Sequence, residues 1–189
     1  MTNYFVYDDL LQNKLGISDP KDLKKAEQQI VSEKSAIILN EKPQNILNFD
    51  YLLHIHKILF EDIYYFAGQI RTIDIAKPDS SIPFAYARFI DIEAKRIFSI
   101  LNNKNYLSNN SKSEFAKEIA ELSADLNALH PFRDGNGRTI RLFLIMLADN
   151  AGYLLDYSQV SSKELIDADK RAFDGDIKPL LNIYKKVVI

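Results

Sequence analysis

The sequence predicts an all-α fold, a compact helical bundle that carries one small β-hairpin. Most of the chain has apolar residues three or four positions apart, which is the spacing of a helix buried on one face. One segment, residues 69–86, instead alternates apolar and polar side chains around a turn. The 189 residues are 47% hydrophobic and 26% charged, which is enough for a well-buried core, so we expect a single domain over 1–189.

The helices begin and end at recognisable signals. Ser18 or Asp19 is placed to cap a first helix that holds Pro20 in its first turn. The apolar face of this helix is expected to contain Leu23, Ala26, Ile30 and Ile37. Further helices are expected at residues 49–64, 88–102, 112–129 and 136–149, with one or two more within 161–185. Pro131 ends the helix over 112–129.

The hairpin is expected between the second and third helices. Residues 69–75 alternate like a short strand, and residues 77–81 supply the turn chemistry of Pro, Asp and Ser. Residues 82–84 then return as a second short strand, in which Pro83 suits an edge position because it donates no hydrogen bond.

Composition and histidine spacing argue against nucleic-acid binding, cysteine-based chemistry and a metal site built on histidine pairs. The formal net charge is −2, whereas proteins that coat nucleic acid usually carry a basic face, so we expect no direct nucleic-acid binding. The sequence has no cysteine, which excludes disulfides, thiolate metal sites and a cysteine nucleophile. His54 and His56 are two positions apart and do not share a helix face, so we expect His56 to be a packed or rim histidine rather than a metal ligand.

No segment of the sequence has the character of a membrane or export signal. Residues 1–10 carry Asp8 and Asp9 and lack the apolar stretch of a signal peptide. No run approaches the roughly 20 apolar residues that span a bilayer. We therefore expect no membrane association and a cytoplasmic location, with secretion as an effector left open.

The most informative segment, residues 130–141, reads His-Pro-Phe-Arg-Asp-Gly-Asn-Gly-Arg-Thr-Ile-Arg. One helix ends there, a tight loop follows and a new helix begins. Gly135 and Gly137 flank Asn136, and glycines let the backbone curl so that successive N–H groups point at one anion. The following helix directs the positive end of its dipole at the same point, so this segment predicts a phosphate-binding loop.

Charged side chains around this loop complete the predicted site. Arg138 and Arg141 are three positions apart, so they lie on nearly the same side of the new helix. Their planar guanidinium groups suit phosphate oxygens. Asp134 adds one hard oxygen ligand, and Mg²⁺ typically binds one or two carboxylates together with substrate phosphates. His130 lies at the rim with an ordinary pKa close to neutral pH, so it is the candidate general base.

This segment resembles the signature of the Fic family, His-Pro-Phe-x-Asp/Glu-Gly-Asn-Gly-Arg, with the extension x-x-Arg supplied by Arg141. Every defined position agrees. The resemblance continues at residues 13–17 and at residues 60–71, which include Phe-Ala-Gly and lead into the hairpin that the family uses as a flap. We expect it to cover a core of about residues 5–175, with the flap at 69–86 and the motif loop at 130–141.

The resemblance implies a protein adenylyltransferase. His130 would deprotonate a Tyr, Ser or Thr hydroxyl of a target protein, the α-phosphorus of ATP would be attacked, and pyrophosphate would leave. Asp134 would bind Mg²⁺ or Mn²⁺. The residues expected to bind the nucleotide are Arg133, Gly135, Asn136, Gly137, Arg138 and Arg141. The flap residues expected to dock the target as an added strand are Ile73, Asp74, Ile75, Ile82 and Phe84.

Other activities of the same fold remain open. The phosphate-transferring Doc branch carries Lys where this chain has Gly137, so Gly137 favours nucleotidyl transfer. Another nucleotide donor, removal of AMP from modified proteins, and a catalytically silent binding module are the remaining alternatives. The intact His130, Asp134 and Arg138 argue against the silent module.

The resemblance also implies an inhibitor. In the family, a helix with Ser/Thr-x-x-x-Glu-Gly/Asn blocks the γ-phosphate site, and its Glu pairs with the second motif arginine, here Arg141. No Glu of this sequence has Ser or Thr four residues earlier. We therefore expect a separate small antitoxin that supplies the inhibitory Glu.

Overall fold

The computed structural model describes residues 11–40, 47–76 and 83–189, and these form seven α-helices. The helices are α1 (Pro20–Leu39), α2 (Phe49–Phe60), α3 (Ile90–Asn103), α4 (Lys112–Leu129), α5 (Asn136–Asn150), α6 (Ser162–Phe173) and α7 (Lys178–Val187). Short 3₁₀ turns occupy Ala87–Phe89, Asn105–Leu107 and Tyr157–Gln159. Each predicted helical region is confirmed, and the last one holds two helices. None of these helices is long and apolar enough to cross a membrane.

Local capping explains where several helices begin. The Asp19 side chain accepts hydrogen bonds from the main-chain N–H groups of Lys21 and Asp22, and Pro20 is the first residue of α1. α4 and α6 each begin with a capping box, in which a Ser side chain and a Glu three residues later bond to each other's main chain. These starts depend only on neighbouring residues, which is why they were predictable.

The buried face of α1 differs from the predicted one. Leu23 is buried as expected, but Ile37 is 56% exposed, and Glu27, Val31 and Ile38 are buried instead. The face of α1 that packs against α2 is therefore offset around the helix from the face that apolar spacing alone indicated. As a result, a glutamate lies within the buried face.

The core is built around α4. This helix contacts α3, α5, α6 and α7, while α5 also packs against α2, and α1 lies along α2. One hydrophobic cluster runs from Leu23 to Val188 and includes Leu180 and Tyr184 of α7. The hydrophobic core thus includes the last helix, α7.

The hairpin is much shorter than predicted. Within the described residues its arms meet in one antiparallel bridge between Ala76 and Pro83, with a 3.3 Å hydrogen bond from the Phe84 N–H to the Ile75 carbonyl. Residues 69–74 do not form a strand, because their polar groups bond elsewhere. The Arg71 N–H donates to the Pro131 carbonyl at 2.9 Å. The predicted turn at 77–81 and Ile82 lie outside the described residues.

Candidate active site

The loop between α4 and α5 is closed by its own side chains. Phe132 is fully buried and anchors the loop in the core. The Asn136 side chain accepts a hydrogen bond from the Phe132 N–H at 2.9 Å and donates one to the Phe132 carbonyl at 2.8 Å. Asn136 is only 3% exposed. Its side chain therefore holds the loop shape.

The two glycines of the loop have different structural roles. Gly135 has a φ of +78°, and a Cβ there would overlap the Phe60 ring, so this position excludes any side chain. A Cβ on Gly137 would meet nothing within 4 Å, and Gly137 is exposed in the first turn of α5. First-turn N–H groups have no acceptor within their own helix. The missing side chain at Gly137 thus leaves this turn open to an anion.

The His130 imidazole has a defined orientation. His130 ends α4 in the left-handed conformation, with φ 45° and ψ 60°. Its Nδ1 lies 3.2 Å from the Asn127 carbonyl oxygen, which only accepts, so Nδ1 carries the proton and Nε2 keeps its lone pair. The Phe84 ring stacks on the imidazole at a centroid distance of 3.7 Å. His130 is 9% exposed. This arrangement suits a general base that acts through Nε2.

Arg71 ties the motif loop to both arms of the hairpin, a role that the sequence did not indicate. Its side chain is buried, and its Nε donates to the His130 carbonyl at 2.8 Å. The other guanidinium nitrogens donate to the carbonyls of Ile73, Ala85 and Leu129. One planar cation thus bridges α4, the motif loop and the flap.

His56 supports the same loop from α2. Its Nδ1 accepts a 2.8 Å hydrogen bond from the Gly68 N–H, so Nε2 is protonated and donates to the Asp134 carbonyl at 3.0 Å. The ring stacks on Phe132 at 3.8 Å, nearly parallel. Burial lowers the pKa of His56 to about 4, against the effect of the Asp134 carbonyl. His56 is therefore a neutral, packed histidine, as predicted from its spacing.

Charged groups cluster where α5 begins. Arg138 NH2 lies 3.6 Å from Asp134 Oδ1, and NH1 forms an ion pair with Glu27 of α1. The Asp134 carboxylate also accepts from the Gly135 N–H at 2.5 Å. Burial raises the pKa of the Asp134 carboxyl, and the nearby Arg138 charge opposes this. Arg141 lies one turn further along and is half-buried.

Asp134 faces a cavity that suits a nucleotide-bound cation. The cavity has about 320 Å³ and is also lined by Glu27, Tyr64 and Lys24. No group of three or more His, Cys, Asp or Glu side chains that could hold a metal ion occurs in the part of the chain that the structure describes. A divalent ion at Asp134 would then need phosphate or water oxygens as its other ligands, which is the usual pattern for Mg²⁺.

Arg133 and the predicted docking residues of the flap do not line the cavity beside Asp134. Arg133 lines a second cavity, of about 500 Å³, together with Ile73, and so is grouped with the flap rather than with Asp134. The Asp74 carboxylate accepts from the Ala87 N–H at 2.7 Å. Ile75 and Phe84 are buried, at 4% and 3% exposure. Of the predicted docking residues that the structure describes, Ile73 lines this cavity and Phe84 lines another, of about 440 Å³.

Comparisons with known proteins agree with this architecture. The profile of the Fic/DOC family matches residues 46–148, more than half of the chain. The "Probable protein adenylyltransferase y4lH" of Sinorhizobium fredii is 37% identical over 180 residues, which cover 95% of this chain and 91% of that protein. The "Protein adenylyltransferase VbhT" of Bartonella schoenbuchensis is 34% identical over 167 residues, which cover 88% of this chain and 34% of that protein.

A solved structure is similar along nearly the whole chain. The crystal structure of BepC, a VirB-translocated effector protein of Bartonella tribocorum with bound AMPPNP, gives a TM-score of 0.91 at 28% identity. The match covers 98% of this chain and 95% of that one. Together with the family profile and the motif loop, these similarities show that the chain belongs to the Fic/DOC family.

Proposed function

We propose that this chain is a protein adenylyltransferase that moves AMP from MgATP to a hydroxyl group of another protein. The observation that carries the proposal is the 3.2 Å contact of His130 Nδ1 with the Asn127 carbonyl oxygen, which favours the tautomer in which Nε2 is the basic nitrogen. The relatives named protein adenylyltransferases and the AMPPNP bound to BepC support the same activity.

In the proposed reaction, His130 Nε2 takes the proton of a Tyr, Ser or Thr hydroxyl. The hydroxyl oxygen forms a bond to the α-phosphorus of ATP, and the bond from that phosphorus to the bridging oxygen breaks, so pyrophosphate leaves with the electron pair. Main-chain N–H groups at the start of α5, around Gly137, bind the α- and β-phosphates. Arg138 and Arg141 neutralise charge at the β/γ end.

We assign Asp134 as the metal ligand. Its carboxylate is partly buried and lines the cavity beside α5, and a carboxylate next to bound phosphates fits Mg²⁺ or Mn²⁺. When bound, the ion would neutralise charge on the departing pyrophosphate. Asp134 would exchange its contact with the Gly135 N–H for the ion, which frees that N–H for a phosphate oxygen.

The target protein is proposed to dock at the flap. The cavity of about 500 Å³ beside Ile73 and Arg133 lies against the flap, and the main chain of an extended target segment would pair with the flap there as an added strand. Arg133 remains assigned to the nucleotide, although its position also suits contact with the target.

We further propose a separate antitoxin whose Glu pairs with Arg141. We also propose that the protein acts in the cytoplasm, and a chain without cysteine is compatible with that reducing compartment.

Labelled ATP tests the proposal directly. The purified chain is incubated with cell lysate and Mg²⁺, using ATP labelled at the α- or at the γ-phosphate, and His130→Ala serves as the matched control. The label that depends on the wild-type chain, above that seen with His130→Ala, should come from α-labelled ATP alone, as AMP detected by mass spectrometry. Transfer of the γ-label would instead assign phosphate transfer, and transfer by the variant would refute the role of His130.

A further inference from the structure

Glu27 is a buried acid that connects α1 to the candidate nucleotide site. It is 8% exposed, on the same face of α1 as Leu23 and Val31. One carboxylate oxygen forms the ion pair with Arg138 NH1, and the other accepts a hydrogen bond from the Tyr64 hydroxyl. Burial raises the pKa of Tyr64, so this hydroxyl stays protonated and donates. Both oxygens of Glu27 are thus engaged.

Arg138 is held from three directions. Glu27 binds NH1, the guanidinium carbon lies 4.8 Å from the centroid of the Phe60 ring, and NH2 lies 3.6 Å from Asp134. An arginine side chain in solution samples many rotamers, and fixing one costs free energy at the moment of binding. These contacts fix the rotamer beforehand and hold NH2 beside Asp134, which lines the cavity.

We propose that Glu27, supported by Tyr64, is a positioning residue that sets Arg138 to receive the β/γ-phosphates of the nucleotide. This inference rests on the proposed function, because it requires Arg138 to contact phosphate. It assigns a role to a residue that lies outside the motif loop. It also explains why a glutamate occupies an otherwise apolar face of α1.

The opposite role would be internal inhibition, in which the Glu27 carboxylate competes with phosphate for Arg138. The geometry argues against it. Glu27 lies between the buried Leu23 and Val31, and the Tyr64 hydroxyl holds its second oxygen, so its carboxylate is fixed beside NH1. It engages NH1 and leaves NH2 directed to the Asp134 side. A partner that stays in place and covers one nitrogen orients the guanidinium instead of blocking it.

Direct binding measurements separate the two roles. MgATP and AMP are titrated by calorimetry into the wild-type chain, Glu27→Ala and Glu27→Gln, with Val31→Ala as a control on the same buried face. Glu27→Ala should weaken MgATP about tenfold, which is the typical effect of losing one charge-assisted hydrogen bond. AMP, which lacks the β- and γ-phosphates, should bind equally to all four chains. Glu27→Gln keeps an oxygen for Arg138 and should restore MgATP affinity to within about threefold.

The outcomes are distinct. Equal or tighter MgATP binding by Glu27→Ala overturns the inference, and tighter binding by both Glu27 variants identifies an inhibitor. A similar loss in Val31→Ala also overturns it, because the effect would then be a general one of α1 packing. If Glu27→Ala does not fold, Tyr64→Phe replaces it, with about threefold weaker MgATP binding expected; unchanged binding there refutes the inference. A wild-type chain that binds no MgATP refutes the proposed function itself.

Discussion

The Nε of Arg71 donates a 2.8 Å hydrogen bond to the main-chain carbonyl of His130, the candidate general base. The same guanidinium also binds the carbonyls of Ile73 and Ala85, one in each arm of the flap. The position of the imidazole is thereby linked to the segment proposed to dock the target. Neither end of the site can shift without breaking bonds to one buried side chain.

Arg71→Lys should lower the turnover of AMP transfer by about 10²-fold, because a single ammonium cannot span these carbonyls and a displaced base transfers protons poorly. MgATP affinity should change little, since Arg71 does not line the cavity beside Asp134. Steady-state rates with a defined target and calorimetry with MgATP measure the two effects. Arg88→Lys, at an exposed position after the flap, is the control and should keep full activity. Equal turnover in both variants would contradict the linkage.

The two glycines of the motif loop should separate stability from binding. Gly135→Ala should destabilise the fold by about 2 kcal/mol or more, because the position has positive φ and its Cβ would overlap Phe60. Gly137→Ala should leave the melting temperature unchanged or raise it slightly, since alanine favours helix and meets no neighbour. Its methyl group should nevertheless weaken MgATP by partly covering the first turn of α5. Thermal denaturation and calorimetry on both variants test this, and an unstable Gly137→Ala would refute it.

The sequence predicted the helices and the motif loop because both depend on neighbouring residues. Asp19 caps α1 through residues two and three positions away, and the loop residues lie within one continuous segment. The supporting contacts were not predictable, because their partners are remote in sequence. His130 and Arg71 are 59 positions apart, Asp134 and His56 78, and Arg138 and Glu27 111.

The hairpin shows how a local pattern can mislead. Residues 69–75 alternate as a strand would, but alternation reports only which side chains are buried. It does not report which groups the main chain bonds to. Here the Arg71 N–H bonds to Pro131 and the Ala85 N–H to Ala128, so the motif loop and α4 take hydrogen bonds that a partner strand would otherwise have taken.

His56→Phe should destabilise the chain although it preserves an aromatic ring against Phe132. The variant loses the bonds to the Gly68 N–H and the Asp134 carbonyl and leaves both partly buried groups without these partners, which typically costs about 2–4 kcal/mol. His54→Phe, two residues earlier and exposed, should change the unfolding free energy by less than about 0.5 kcal/mol. Denaturant unfolding of both variants measures the difference. Similar values for the pair would mean that His56 contributes only its ring.

If Asp134 is the metal ligand, its replacement should lower activity without lowering thermal stability. Asp134→Asn keeps the size of the side chain and an oxygen for the Gly135 N–H, so the melting temperature of the metal-free chain should change little. The variant removes the only negative charge offered to the ion by the motif loop, so AMP transfer should fall by about 10²-fold or more and respond weakly to added Mg²⁺. Excess EDTA should abolish transfer by the wild-type chain, and Mn²⁺ should restore it.

The control is Asp149→Asn, an exposed position near the end of α5. Its AMP transfer should depend on the Mg²⁺ concentration as that of the wild type does. Undiminished transfer in EDTA, or a normal Mg²⁺ response in Asp134→Asn, would show that the ion is held elsewhere.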